Sequence, residues 1–173
     1  MSNIDLASYN RQGKLFNTAN LAAASHIAVT TAMTGLILHN PAGSNKKLLV
    51  AHAGFVWTTV PGAVHNIGLA FAPPNATALS SLTAVTVYNA DGSGASANSV
   101  ARAYNAATFA VAPVIYRWIG GAAWGSSVAV SPFQISEYID GSLILIPGAT
   151  MSTAVVTTTA TGMASFSWVE VPA

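Results

Sequence analysis

Residues 141–159 read GSLILIPGATMSTAVVTTT and hold no charged side chain. An aliphatic run, Leu143–Ile146, meets the Pro147–Gly148 turn pair, and a segment of small and β-branched residues follows. β-Branched side chains are stiff at χ1 and pack well on a pleated surface, so both segments read as strands. Asp140–Gly141 on one flank and Thr161–Gly162 on the other are further turn signals. Together they predict a meander of three strands, Ser142–Ile146, Met151–Thr159 and Ala164–Val171. In the last strand Phe166 and Trp168 share one face while Val169 and Val171 share the other, which asks for cover on both sides.

The same grammar extends outward. Short apolar or alternating runs are separated by PAGSN at 41–45, Pro61–Gly62, Asp91–Gly92 and Gly120–Gly121. That is the pattern of an all-β fold, an antiparallel β-sandwich of jelly-roll-like type. The longest run, Lys47–Val60, predicts a core face of Leu49, Ala51, Ala53, Phe55 and Trp57, with Leu48, Val50, His52, Gly54 and Val56 opposite. A neighbouring subunit would cover the second face. At most one short helix is expected, over Pro73–Leu82 with Asn75 as its cap. Asn89–Asn98 reads as a flexible loop. Residues 1–20 are expected to form an N-terminal arm ordered by a partner, and residues 21–173 a single β-sandwich domain.

Charge is the unusual quantity. Only 6% of residues are Asp, Glu, Lys or Arg, against about 25% in an ordinary soluble domain. A compact monomer of this mass presents roughly 7,900 Å², so the surface is thinly charged. Two explanations compete: an exterior of Thr, Ser, Asn and Ala that is neutral but wet, or one covered by neighbouring chains as in an obligate assembly; the hydrophobic fraction of 52% favours the second. No stretch is apolar for the ~20 residues a spanning helix needs. The opening MSNIDLASYNRQGKLFNTAN lacks the apolar region of a signal peptide, so synthesis in the cytoplasm is expected, with no membrane partner.

Catalytic and metal chemistry find no footing. The chain has no Cys, which excludes thiolate zinc sites and cysteine nucleophiles. His26, His39, His52 and His65 recur at an even spacing, yet the turn residues between them fall off-centre, so cross-strand imidazoles would not align for zinc or nickel. Glu137 and Asp140 point to opposite faces of a strand, and Asp5, Asp91 and Glu170 read as solvated surface carboxylates. GxSxG, GxxxxGK and GxGxxG are all missing. No enzyme, catalytic residue, metal or cofactor is expected. The basic cluster Lys46–Lys47 is too small for phosphate-backbone binding; it solubilises a turn or docks on an acidic neighbour, so no nucleic acid is expected. Tyr116 and Trp118 on one strand face, with Trp124 nearby, offer anchors for a protein interface or for a sugar ring. The candidate partner-binding residues are therefore Lys46, Lys47, Tyr116, Trp118 and Trp124.

Three stretches carry a resemblance: GLILHNPAGSNKKLLV at 35–50, DGSLILIPGATMSTAVV at 140–156 and FSWVEV at 166–171. Their succession of apolar strand, small-residue turn and apolar strand resembles the small β-sandwich structural proteins of tailed bacteriophages, the capsid decoration or cement proteins and the head or tail fibre modules. The resemblance implies a virion structural protein at the capsid surface: a homo-oligomer, expected as a trimer, that docks on the major capsid protein shell and stabilises it. The alternative it leaves is a fibre, receptor-binding or carbohydrate-binding module.

Overall fold

The computed structural model describes residues 5–59, 64–74, 79–95, 98–122, 134–156 and 159–173. Among the described residues one α-helix, α1 (Leu6–Arg11), precedes the strands β1 (Leu15–Ala19), β2 (Ala24–His26), β3 (Ala32–His39), β4 (Lys46–Trp57), β5 (His65–Ala72) and β6 (Leu79–Val85). There follow β7 (Tyr88–Asn89), β8 (Arg102–Phe109), β9 (Val114–Ala122), β10 (Gln134–Leu145), β11 (Thr150–Val155) and β12 (Ala160–Pro172). They form two antiparallel sheets. Sheet A runs β10-β4-β12-β1-β7, with β2 added beside β12; sheet B runs β6-β8-β3-β11-β5-β9.

The strand order is that of one long hairpin rolled onto two layers. From the outermost pair inward, β1 lies beside β12 in sheet A and β3 beside β11 in sheet B. Next, β4 lies beside β10 in sheet A and β5 beside β9 in sheet B. Successive pairs of the hairpin thus alternate between the sheets, the double Greek key of a jelly roll. The remaining strands widen it: β7 extends sheet A beyond β1, while β8 and β6 extend sheet B beyond β3.

Between the sheets lies the main core, with Phe16, Leu48, Val50, Phe55, Phe166 and Trp168 from sheet A facing Leu36, Leu38, Ile67, Leu69 and Met151 from sheet B. A second cluster takes the alternate side chains of sheet B, among them Met33, Ile37, Ala70, Tyr104, Phe109 and Ala154. The central strands of sheet B, β3, β11 and β5, are therefore buried on both faces, whereas β6 and β9 at its edges are largely exposed. At the β9/β10 flank the sheets are closed by side chains: Arg117 pairs with Glu137.

Several expectations need correction. The three strands of the expected meander do not pair in succession. Residues 142–145 end β10 in sheet A, β11 lies in sheet B, and β12 returns to sheet A. Pro147–Gly148 is therefore a corner between layers. It is tied to the neighbouring β3–β4 corner by Asn40, whose carbonyl accepts from Gly148 N–H at 2.7 Å and whose N–H donates to the Ala149 carbonyl at 3.0 Å. The buried Asn40 amide also donates to the carbonyls of Lys46 at 2.8 Å and Leu145 at 2.9 Å. One side chain thus pins two corners that are far apart in sequence.

In β4 the core takes Leu48 and Val50, then Ala53, Phe55 and Trp57. The register against β12 skips Ala51, a β-bulge that flips the alternation halfway along the strand. Of the expected helix Pro73–Leu82, residues 79–82 belong to β6, and 75–78, with the expected cap Asn75, lie outside the described residues. Of the expected arm, Leu15–Ala19 is a sheet A strand held between β12 and β7. Phe16 and Thr18 are buried there, which ties this segment into the sandwich without a partner chain.

Candidate functional site

The buried polar groups divide into structural anchors. Glu170 was expected as a solvated carboxylate, but its side chain is 0% exposed. It accepts from Lys46 Nζ at 2.9 Å, Ser99 Oγ at 2.7 Å and Val100 N–H at 3.0 Å. A buried carboxylate survives only when its lone pairs are filled and its charge is met. Here it fastens the segment before β8 to the end of the sandwich. Asn20 accepts from Ala164 N–H at 2.8 Å and donates to the Gly35 carbonyl at 3.1 Å, joining the two sheets where the chain leaves β1.

The histidines do not meet. His26 is buried between the sheets, with Nδ1 2.7 Å from Thr153 Oγ1. Burial pushes it from the usual 6.5 down to about 4. His39 bonds Thr150 Oγ1 on the outer face of sheet B, and burial, aided by the nearby Arg102 charge, lowers its pKa against the opposing pull of the Ala149 carbonyl. His52 lies on the outer face of sheet A, its ring 5.2 Å from that of Tyr138; His65 opens β5. Burial lowers both of these as well. Among the described residues no three His, Cys, Asp or Glu side chains are grouped to hold a metal ion. No described helix is long and apolar enough to cross a membrane.

The sequence-derived partner residues fall in different places. Lys46 is committed to Glu170, and Lys47 lies opposite Val171 at the start of β4. Trp118 packs over Gly68 on the outer side of sheet B, where a Cβ on Gly68 would lie 2.8 Å from its ring. Tyr116 is against Phe71, with ring centroids 6.3 Å apart, and Phe71 packs on the inter-sheet core. The register of β9 slips twice against β5, so the expected common face for Tyr116 and Trp118 is broken by bulges. Trp124 lies outside the described residues.

What the arrangement does bring together is an end without charge. Call the end where β4 starts at Lys46 the near end and the end where it stops at Trp57 the far end. The near end collects Lys46, Lys47 and Glu170, with Lys14 just before β1 and Arg102 at the start of β8. Asp5 and Arg11 belong to the helix that leads into β1, and Asp91 follows β7, where Ala90 N–H donates to the Leu15 carbonyl. Arg117 and Glu137 sit on the β9/β10 flank, and Asp140 in the irregular middle of β10. At the far end β1, β4, β9 and β11 stop, and β3, β5, β10 and β12 begin. The connecting sequences, 20–31, 58–64, 123–133 and 156–159, contain no Asp, Glu, Lys or Arg. Their described residues include Leu21, Val64 and Val156, exposed by 78%, 64% and 48%.

No family model, curated protein or solved structure matches this chain. Its likeness to jelly rolls is therefore one of strand order, carried by the nested pairs. Sequence reading saw the poverty of charge but not its segregation, since Lys14, Lys47, Asp91 and Arg102 are scattered along the chain and meet only through the roll. The turns themselves carry no signal of this, because near-end turns such as 40–45 and 146–149 are uncharged too; the charges stand at strand ends, Lys14 before β1, Lys46 and Lys47 opening β4, Arg102 opening β8 and Glu170 near the end of β12.

Proposed function

We propose that the protein is a non-enzymatic structural module of a virion, a decoration or cement protein that assembles with copies of itself, as a trimer, and binds a shell of coat protein. The observation that carries this reading is the charge-free far end with its exposed Leu21, Val64 and Val156. Taking one formal charge out of water costs several kcal/mol even after relaxation, so a surface free of charge is cheap to bury. Interface cores are depleted in charged residues for the same reason. The exposed apolar side chains along β9 and the preceding turn, Val111, Val114, Tyr116 and Trp118, add a flank of the kind that neighbouring chains cover.

The fold class supports the reading without deciding it, because jelly rolls build viral shells and also bind sugars. The charged near end suits the solvent side of such a particle, where net charge keeps surfaces from associating. A co-sedimentation experiment tests the proposal: shells assembled from the partner coat protein are mixed with this protein, pelleted and heated. Saturable binding with a higher melting temperature of the shell is expected. Protein left in the supernatant, with shell melting unchanged, would refute it.

A further inference from the structure

The outer face of sheet A carries a second feature, which reaches from the middle of the sheet to the edge of the far end. Cross-strand register sets its outward side chains in three parallel rows. Gln134, Val56 and Met163 make one row, Ser136, Gly54 and Ser165 the next, and Tyr138, His52 and Ser167 the third. The middle row holds only Gly and Ser, while the rows on either side hold the taller Gln134, Val56 and Met163 and, apart from Ser167, Tyr138 and His52. The result is an open trough of about 440 Å³ running across the strands, floored by Gly54, Ser136 and Ser165 and walled by His52, Gln134 and Met163. Three interstrand steps from β10 to β1 give it a length of about 14 Å.

The chemistry of the trough is specific. No formal charge lines it. The side chains of Gln134, Ser136, Ser165 and Ser167 have no hydrogen-bond partner among the described residues; they present hydroxyls that donate and accept, and an amide that does both. Tyr138 does not itself line the cavity; it stands beside the His52 wall, opposite His52 across the strand pair, with 76% of its surface exposed and its ring 5.2 Å from the His52 ring at 60°. Its π face is electron-rich and attracts weakly positive C–H groups. The backbone groups of β4 and β12 are consumed in ladders on both sides, so an extended peptide laid over them finds no backbone to pair with; the nearer edge of sheet A is on the far side of β10. What remains is a ligand with hydroxyls in a plane, C–H groups on one side, and no charge.

We propose that this trough binds a neutral saccharide, with a sugar ring stacked on Tyr138 and its hydroxyls bonded to Gln134, Ser136 and Ser165. The site lies on the outer face of sheet A with its Gln134–Val56–Met163 row adjoining the far end, and glycan binding tests it separately from the assembly reading. Its volume lies within the range of ligand sites, about 300–1,000 Å³, and its openness suits a chain that enters from one side and leaves from the other.

An array of neutral and acidic glycans, followed by titration of the strongest neutral binder, tests the assignment. Wild-type protein is compared with Tyr138→Ala, which removes the stacking ring, and Ser136→Leu, which fills the floor. Both positions are exposed, so unchanged thermal unfolding serves as the control for folding. Binding of a neutral glycan that weakens at least about tenfold in each variant is expected, the effect of losing a central contact. Three results would overturn the proposal: no neutral glycan binds, binding survives both substitutions, or Tyr138→Ala lowers the mass of an assembly and so assigns the trough to a contact between copies.

Discussion

Acid should unfold this protein through His26, and the size of the effect follows from its surroundings. The imidazole is 0% exposed, edge-on to Phe55 with ring centroids 4.7 Å apart. Nε2 lies 3.3 Å from the Gly162 carbonyl, which only accepts, so the ring proton sits on Nε2 and Nδ1 accepts from the Thr153 hydroxyl. Gly35 makes room for this arrangement: its φ of +125° and the 2.5 Å between a Cβ placed there and His26 Nδ1 leave space for glycine alone. Burial holds the folded-state pKa at about 4, against 6.5 in the open chain. Above pH 6.5 the ring is neutral in both states and costs nothing. As pH falls toward 4 the unfolded state takes up a proton that the folded state refuses, and stability is lost. That difference amounts to about 3 kcal/mol by pH 4, a large share of the ~5–15 kcal/mol that holds a domain together. Urea unfolding of wild type and His26→Leu at pH 7.5 and pH 4 measures it. The variant is expected to be weaker at pH 7.5 yet to lose about 3 kcal/mol less on acidification. The other three histidines contribute alike to both proteins. Parallel losses in the two, or a wild type that gains stability on acidification, would refute the reasoning.

Two further substitutions probe the anchors. Glu170→Ala removes the acceptor that Ser99 Oγ, Val100 N–H and the half-exposed Lys46 share, and should cost about 1–3 kcal/mol in urea unfolding, the penalty of buried donors left unmet; a loss under about 0.5 kcal/mol would mean that the group behaves as a surface contact. Asn40→Ala removes the amide that joins the carbonyls of Lys46 and Leu145. About 1–3 kcal/mol should disappear, and hydrogen exchange should quicken at Gly148 and Ala149 together, because both corners share the same pin.

Strands and turns were legible in the sequence because alternation and Gly, Pro and Asp pairs act locally. Which strands pair was not legible. Asp140–Gly141 looks like a hairpin turn, and both residues do take positive φ, 48° and 71°, yet they form an irregularity inside β10. The left-handed conformation is common to turns and bulges, so the residue pair alone does not tell them apart. Pro147–Gly148 marks a reversal, but whether the next strand joins the same layer depends on Asn40, more than a hundred residues earlier. The bulge at Ala51 inverts half of a correctly identified strand with no Gly or Pro to announce it. Glu170 sits in the alternation FSWVEV at an inward position, and only the remote Lys46 and Ser99 make its burial tolerable. The partner residues suffered likewise, since Tyr116 and Trp118 alternate in sequence while the slipped register of β9 separates them.

The central claim is that a surface of 8176 Å², on a chain with six basic and five acidic residues of which Glu170 is buried, is committed to neighbouring chains through its far end. Light scattering after size exclusion, on wild type and on Leu21→Glu with Val64→Glu, tests it most directly. A wild-type mass about three times the 17.6 kDa of one chain, falling to a folded single chain in the double variant, is the predicted result. A wild type that stays a stable, soluble monomer at every concentration would contradict the account.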